Sequence, residues 1–538
     1  MKNILYVNHD AHLGGASLSL RDSLLTLRKY VNVFVILPDK GPLEDYFNGE
    51  NIPYEIIPFK QDWTRSIQIK PKEADDIFLD NWRAAKKICD VIRQKKIDLV
   101  HVNTSVVSVG AFAALMCGVP YVYHVRELLL EQFGGDFYDW DVKRKVLENA
   151  DTLIAISDFV KNAYLKKYGL NCLRVYNGLD ISKYYKKIAR NWTSPRFLVS
   201  GRVTREKGQG IAVHALGLLK ERGYSNVCMD IVGNGDKELF RLREFMHYLG
   251  VENQVFIRGF QNDQTEFRQN CDYALTVSRN EALGRVTIEA MLAGQFVIGA
   301  DEGGTKEIIG ENEERGLLFA HGNAVALADK MEQAILMSTS EKEKIIKDAQ
   351  KYALSAFSYE QYAISISRLY DKVCSEYYVS EQKKNALIWL ESKFETASKI
   401  ASDGVCVEDD VSKFDYRCYA SKIREWFGNG EGSKQLAEYL DKNKIKTVAV
   451  YGMGNMGTFL RDVLFKKNIS IVQMIDAGAD YFDNMLGIRN KVDEGIPVDL
   501  MIVSVLKYQK FIVDDLRRKY KMNVIGLVDL YKLNKNDD

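Results

Sequence analysis

Two carboxylates raise the first chemical question. Glu281 and Glu289 lie in "SRNEALGRVTIEAMLAGQFVIGADEGGTKEIIG" (278–310), with seven residues between them, Gly284 and Arg285 included. The run "VTIEAMLA" has a helical pattern. If the helix begins near Arg285, the backbone N–H groups of Arg285, Val286 and Thr287 are unpaired donors at the positive end of its dipole, suited to phosphate. Glu281 then sits in the approach loop, and Glu289 about one turn inside, roughly 6 Å further along the axis. A ligand made of sugar, diphosphate and nucleoside could be held there at three points. Ordinary solvated glutamates on a surface helix satisfy the same spacing, so the other residues must decide.

A second charged group is Gly201-Arg202-Val203-Thr204-Arg205-Glu206-Lys207-Gly208. Arg202 offers a fork of donors and Lys207 a point charge, a pair suited to a diphosphate that gains negative charge as a bond to it breaks. His124 ends the run "YVYHV" with Arg126 and Glu127 behind it. It could donate to a hydroxyl or carry charge; the plain alternative is a histidine capping a strand end. Gly14 and Gly15 follow the first apolar run, where missing side chains let backbone approach a ligand, although an ordinary turn would use them too. His9, Asp10 and His12 share a loop with no second carboxylate cluster nearby, and no metal site is expected there.

The elements that must position these residues are read from alternation. "NILYVN", "VNVFVILP", "IDLVHVN", "YVYHV", "ADTLIAIS" and "CLRVYNG" are short β-rich runs separated by helical patterns. Past "RNWTSP" the pattern restarts with "RFLVSGRV", "VCMDIVGNG", "QVFIRGF", "YALTVS" and "QFVIGAD". Each series predicts a doubly wound parallel sheet whose ligands lie outside the carboxyl ends of its strands. In tandem they would set Arg202, Lys207, Glu281 and Glu289 on one side of a cleft and His124 on the other.

Length and balance bound the answer. A chain of 538 residues implies two to four domains. Lys and Arg total 74 against 73 Asp and Glu, so no global field points to nucleic acid. Eight cysteines are scattered, the nearest pair being Cys406 and Cys418, which reads as reduced and cytosolic usage. "MKNILYVNHD" enters a strand directly, so no secretory leader is expected. Residues 106–125, "VVSVGAFAALMCGVPYVYHV", lack Asp, Glu, Lys and Arg, but Gly118 and Pro120 split them; a buried helix, a tight turn and a buried strand are expected rather than a membrane span. Lys143, Arg144 and Lys145, with Lys161, Lys166 and Lys167, read as solvated helix faces or as a dock for anionic lipid.

Taken together, Gly14-Gly15, His124, Gly201-Arg202 with Lys207-Gly208, Glu281 with Glu289, and "EGGTKEII" (302–309) resemble the retaining nucleotide-sugar glycosyltransferases of family four, with the GT-B fold. The resemblance covers roughly residues 1–375. It implies an N-terminal Rossmann-like domain on the acceptor side (1–190) and a donor-side domain (191–375) whose last helix crosses back to the first. It further implies a nucleotide-sugar donor, UDP- or GDP-linked, held without a catalytic metal, and a saccharide or lipid-linked saccharide acceptor. Carried onto this chain, Arg202 and Lys207 would clamp the diphosphate and Glu281 would hold donor-sugar hydroxyls. Glu289 would accept from the ribose, His124 would face the sugar, and Gly15 would admit the phosphate or acceptor. Gly14, Gly284, Arg285, Val286 and Arg258, the last in the base-recognition stretch "FIRGF", complete the expected donor contacts. Leu283 stands where the family commonly has Phe, and Phe296 where Pro is common. Such an enzyme would work in the cytoplasm, at the inner face of the membrane if the basic helices dock there.

Beyond "FSYEQYAISISRLYDKV" (357–373), residues 376–440 read as a partly helical linker. The segment 441–538 opens with a strand, Gly452-x-Gly454-x-x-Gly457, a helix and a strand ending at Asp476. This satisfies the context of a dinucleotide fingerprint and predicts a small Rossmann-like accessory domain. Its small size favours docking, regulation or a bound nucleotide-sugar over a whole dinucleotide. Two hypotheses follow: a glycosyltransferase of the twin domains, or an NAD(P)- or nucleotide-sugar-binding modifying module at the C-terminus with the twin domains as scaffold.

Overall fold

The computed structural model describes residues 1–65, 71–129, 132, 135–186, 190, 192–235, 237–402, 431–451, 464, 470–475, 488–489, 498–503, 513, 516–517 and 523–526. It divides into two compact units, Met1–Val405 and Cys406–Asp538.

Unit one holds two parallel sheets. The first contains β1 (Asn3–Val7), β2 (Asn32–Leu37), β3 (Tyr54–Ile56), β5 (Leu99–Val102), β6 (Tyr121–Val125), β8 (Thr152–Ala155) and β9 (Leu173–Arg174). Their order is β3-β2-β1-β5-β6-β8-β9, and a two-residue antiparallel pair, β4 (Trp63–Thr64) with β7 (Asp136–Phe137), lies apart. The second contains β10 (Arg196–Ser200), β11 (Cys228–Val232), β12 (Val255–Gly259), β13 (Tyr273–Thr276), β14 (Phe296–Ala300) and β15 (Leu317–Phe319), ordered β12-β11-β10-β13-β14-β15. β5 and β6 are buried along their whole length, as expected of strands covered on both faces by helices.

The chemistry of 106–125 resolves as its composition predicts. Helix Val109–Cys117 ends at Gly118, whose φ of +64° turns the chain into β6. Among the described residues no helix is long and apolar enough to cross a membrane. Helix Tyr359–Glu376 packs on helix Gly15–Leu27 of the first sheet. Helix Glu381–Ser402, expected within a linker, packs on helices Pro71–Gln94 and Val109–Cys117. Phe394 stacks on Trp82 at 5.9 Å, and Lys393 pairs with Asp139 at 2.9 Å.

Unit two contains one parallel sheet: β16 (Thr447–Tyr451), β17 (Ser470–Ile475), β18 (Ile488–Arg489), β19 (Leu500–Val503) and β20 (Val524–Gly526), in the order β18-β17-β16-β19-β20. Counted along the chain this is 3-2-1-4-5, the order of one doubly wound unit. Gly452, Gly454, Gly457 and Asp476 lie outside the described residues.

Candidate active site

Glu281 stands in the loop between β13 and helix Arg285–Leu292, which starts where its spacing predicts. Gly284 is its N-cap at φ +88°, a left-handed conformation that glycine adopts without strain. The loop is clamped from two sides. A Cβ on Gly208 would come within 2.6 Å of the Val277 carbonyl, so the loop after β10 lies directly against it. A Cβ on Gly304 would lie 2.5 Å from the Leu283 carbonyl, and Gly304 N donates to the Glu281 carbonyl at 2.6 Å. Glu302 accepts from the backbone N–H of Asn280 at 3.0 Å. The glycine pair of "EGGTKEII" is thus the floor under Glu281.

The structure brings the expected charges together. Lys207 and Glu281 form a direct ion pair, so in the free protein each neutralises the other at the loop surface. Arg202 is exposed and makes no ion pair among the described residues, leaving its guanidinium available to an anion. Glu289 is buried, and both its oxygens are engaged: Oε1 accepts from Arg285 Nε at 2.9 Å and Oε2 from Arg268 Nη2 at 2.5 Å. Arg268, a fully buried cation that the spacing gave no reason to single out, thus holds Glu289 from below. A carboxylate has about four lone-pair sites, so two remain for hydroxyls. Gly14 is the N-cap of helix Gly15–Leu27, and nothing lies within 4 Å of a Cβ built at Gly14 or Gly15. Leu283 and Phe296, where the family's usual residues differ, are both buried packing positions.

Arg258, expected among the donor contacts, is exposed, and its Nε is bonded to Asp230 at 2.5 Å, beside Arg196 on the same carboxylate. Burial would raise Asp230, yet hydrogen bonds from Arg196 and Arg258 outweigh it and hold the carboxyl below its usual range. A buried charge requires such partners. One expectation needs correction, the charge on His124. The side chain is wholly buried, and burial, then the nearby Arg126 cation, keep the imidazole neutral by lowering its pKa well below 6.5.

His124 nevertheless retains one unspent donor. Arg126 can only donate, so its Nη2, 3.2 Å from His124 Nδ1, makes that nitrogen an acceptor and places the proton on Nε2. His101 Nε2 approaches the same Nδ1 at 3.2 Å, and His101 Nδ1 meets the Tyr370 hydroxyl at 2.6 Å. His124 Nε2 is buried with no hydrogen-bond partner. The Arg126 guanidinium spends its donors on neutral groups, among them the Asn103 carbonyl at 2.8 Å and Asn177 Oδ1 at 2.7 Å. His101, Asn103 and Tyr370 were not singled out by spacing, because their contacts join residues far apart in the chain, 269 positions for His101 and Tyr370.

The basic cluster at 143–145 is not one surface. Lys143 is 1% exposed and pairs with Asp62 at 3.0 Å, while Arg144 pairs with Glu148 and Lys145 lies over the Trp389 ring. Adjacent helical residues point in different directions, so three consecutive cations cannot share a face.

Twin doubly wound sheets, with a cation-rich loop and a glycine-backed carboxylate loop at strand ends of the second, are the architecture of a glycosyltransferase of GT-B type. The comparisons agree. A family model described as "Glycosyltransferase Family 4" matches residues 13–183, and one described as "Glycosyl transferases group 1" matches residues 180–352. The chain belongs to the GT-B glycosyltransferases of family-four type and is an enzyme of the hexosyl-transferring class.

It is 22% identical over 321 residues to spore coat protein SA of Bacillus subtilis, spanning 55% of this chain and 84% of that protein. It is 25% identical over 220 residues to a Campylobacter jejuni enzyme named N-acetylgalactosamine-N,N'-diacetylbacillosaminyl-diphospho-undecaprenol 4-alpha-N-acetylgalactosaminyltransferase, covering 37% of this chain and 57% of that one. The crystal structure of Anabaena Alr3699/HepE in complex with UDP matches with a TM-score of 0.57 and 24% identity, over 69% of this chain and 100% of that chain.

Proposed function

We propose that the chain moves a sugar from a nucleotide-sugar, UDP- or GDP-linked, to a saccharide or lipid-linked saccharide acceptor, with retention at the anomeric carbon and without a catalytic metal. The observation that carries this reading is the Lys207–Glu281 pair on a loop floored by Gly304, beside an exposed Arg202. Arriving diphosphate takes Lys207 and Arg202 as counter-charges and is met by the start of helix Arg285–Leu292; Glu281, released from Lys207, accepts from donor-sugar hydroxyls. Glu289, oriented by Arg268 and Arg285, accepts from the ribose. His124 Nε2–H donates to a sugar hydroxyl as a neutral imidazole.

In the transfer step the bond between anomeric carbon and diphosphate oxygen loosens towards an oxocarbenium-like state. The acceptor hydroxyl enters on the same face, and its proton passes to the departing diphosphate. The protein supplies electrostatic stabilisation and orientation. A solved relative with UDP-glucose bound supports a uridine donor, and the Campylobacter relative's name supports a polyprenyl-linked saccharide acceptor. Residues 441–538 are assigned an accessory role, docking or regulation, on this reading.

The test is a thermal-shift screen against UDP-, GDP- and ADP-sugars, followed by NMR of the product anomer. One nucleotide class should raise stability by about 2.7 kcal/mol at a hundred times its dissociation constant. No shift with any of them, or a product of inverted configuration, contradicts the reading.

A further inference from the structure

The first domain holds the carboxylate loop of the second, and the helix that floors it, at three points. Ser157, wholly buried, caps helix Asp158–Tyr168 by accepting from Val160 N at 3.1 Å, and its hydroxyl donates to the carbonyl of Ala282, the residue after Glu281. Glu307, on helix Gly303–Ile309, closes the same helix start from the other domain. Its carboxylate accepts from Asp158 N at 3.0 Å, Phe159 N at 2.9 Å and the Tyr176 hydroxyl at 2.6 Å. On the other side of the loop, Asp22 of helix Gly15–Leu27 accepts from Arg285 Nη2 at 3.2 Å, while the same guanidinium holds Glu289.

We propose that Ser157, Glu307 and Asp22 are positioning residues: the acceptor-side domain sets the placement of Glu281 and Glu289, so the donor site is fully aligned only when the two domains are locked. The loop has reason to need this. It lacks regular structure and carries Asn280 at φ +47°, outside the range most residues prefer, so its shape depends on what surrounds it. Ser157 and Asp22 bracket Ala282 to Arg285, and Glu307 belongs to the helix whose Gly304 forms the floor. The acceptor domain thereby reports its position to the donor carboxylates through backbone and side-chain hydrogen bonds. The inference rests on the proposed roles of Glu281 and Glu289.

The test uses the full chain with UDP-glucose or whichever sugar of the donor panel wild type turns over. Ser157→Ala and Glu307→Gln should lower kcat about tenfold to a hundredfold, the scale of a misplacement near 1 Å, with UDP affinity changed less than threefold. Ser157→Thr, which keeps the hydroxyl, should recover most of kcat, and Asp22→Asn should lower kcat without moving the melting temperature by more than a few degrees. Wild-type kcat in Ser157→Ala and Glu307→Gln overturns the proposal, as does loss of kcat only in proportion to unfolded protein. Glu281→Ala runs in the same series. If it turns over like wild type the donor-site reading fails, whereas its inactivity beside unimpaired Ser157→Ala removes only the positioning role.

Discussion

The strand ends of the two sheets in unit one solve different problems. After β10 and β13, Lys207, Arg202 and Glu281 are at least partly open to solvent, while Arg268 holds Glu289 in a buried position. After β5 and β6, the polar residues His101, His124, Asn103 and Arg126 are closed off, and both histidines are kept neutral by burial and the Arg126 cation. The open set matches a ligand of high charge, since accessible cations can exchange one counter-ion for another at modest desolvation cost. The closed set matches a ligand of hydroxyls, which a fixed neutral donor reads without drawing in counter-ions. On the proposed function, the diphosphate falls to the loops of the second domain, and the sugar hydroxyls are shared between Glu281 there and His124 in the first.

The largest effect should come from the open set. Lys207→Ala should lower transfer by about 10² to 10³ in rate, by analogy with loss of one donor to a developing oxyanion, while the melting temperature stays within a few degrees of wild type. Unchanged turnover would erase the distinction between the domains.

Next in size is a stability effect in the first domain. Removing Lys143 leaves the part-buried Asp62 with the Ser108 hydroxyl but no counter-charge, and Lys143→Met should cost about 1 to 3 kcal/mol in denaturant unfolding. Arg144→Met, on an exposed pair, should cost less than about 1 kcal/mol. Equal effects would return the three cations to a common surface.

Gly304→Ala should push the loop by the overlap with the Leu283 carbonyl, costing about 1 to 3 kcal/mol and weakening donor binding together. Calorimetry with UDP on the purified variant checks the second part, and unaltered affinity would show that the floor is not part of the site.

The smallest effect is in pH dependence. His101 and His124 resist protonation in the folded state, whereas the unfolded chain takes up protons near pH 6.5, so stability is intact above that pH and falls below it. Asp272 acts with the opposite sign: burial pushes it up to about 6, so the folded state binds that proton first and gains stability as pH falls through 6. The difference between wild type and His101→Gln isolates one histidine. The variant's acid limb should be shallower by about 1.4 kcal/mol per pH unit, and parallel limbs would contradict a neutral buried His101.

Much of this was legible in the sequence because it is local. Alternating β-rich runs predict the two sheets, and the helix start at Arg285 follows from an apolar period after glycine. Strands such as β3 and β15 passed unnoticed because three residues carry too little pattern. The strand-end rule put Lys207 and Glu281 on one side of a cleft, but their direct pairing, across 74 positions, is tertiary. For His124 the sequence left both a neutral donor and a charge open, because a residue's type and strand position do not reveal the Arg126 cation that keeps the imidazole neutral. Ser157 was not singled out, because its bond to Ala282, 125 positions away, belongs to tertiary structure.

The most direct measurement of the central claim is nucleoside diphosphate release from the donor panel, in wild type, Lys207→Ala, Glu281→Ala and His124→Gln, alongside binding of the free nucleoside diphosphate. The account predicts that Lys207→Ala loses both release and nucleotide affinity, while Glu281→Ala and His124→Gln lose release but keep the affinity. Full release by Glu281→Ala, or nucleotide binding that depends on His124 and not on Lys207, would contradict the division of labour between the two domains.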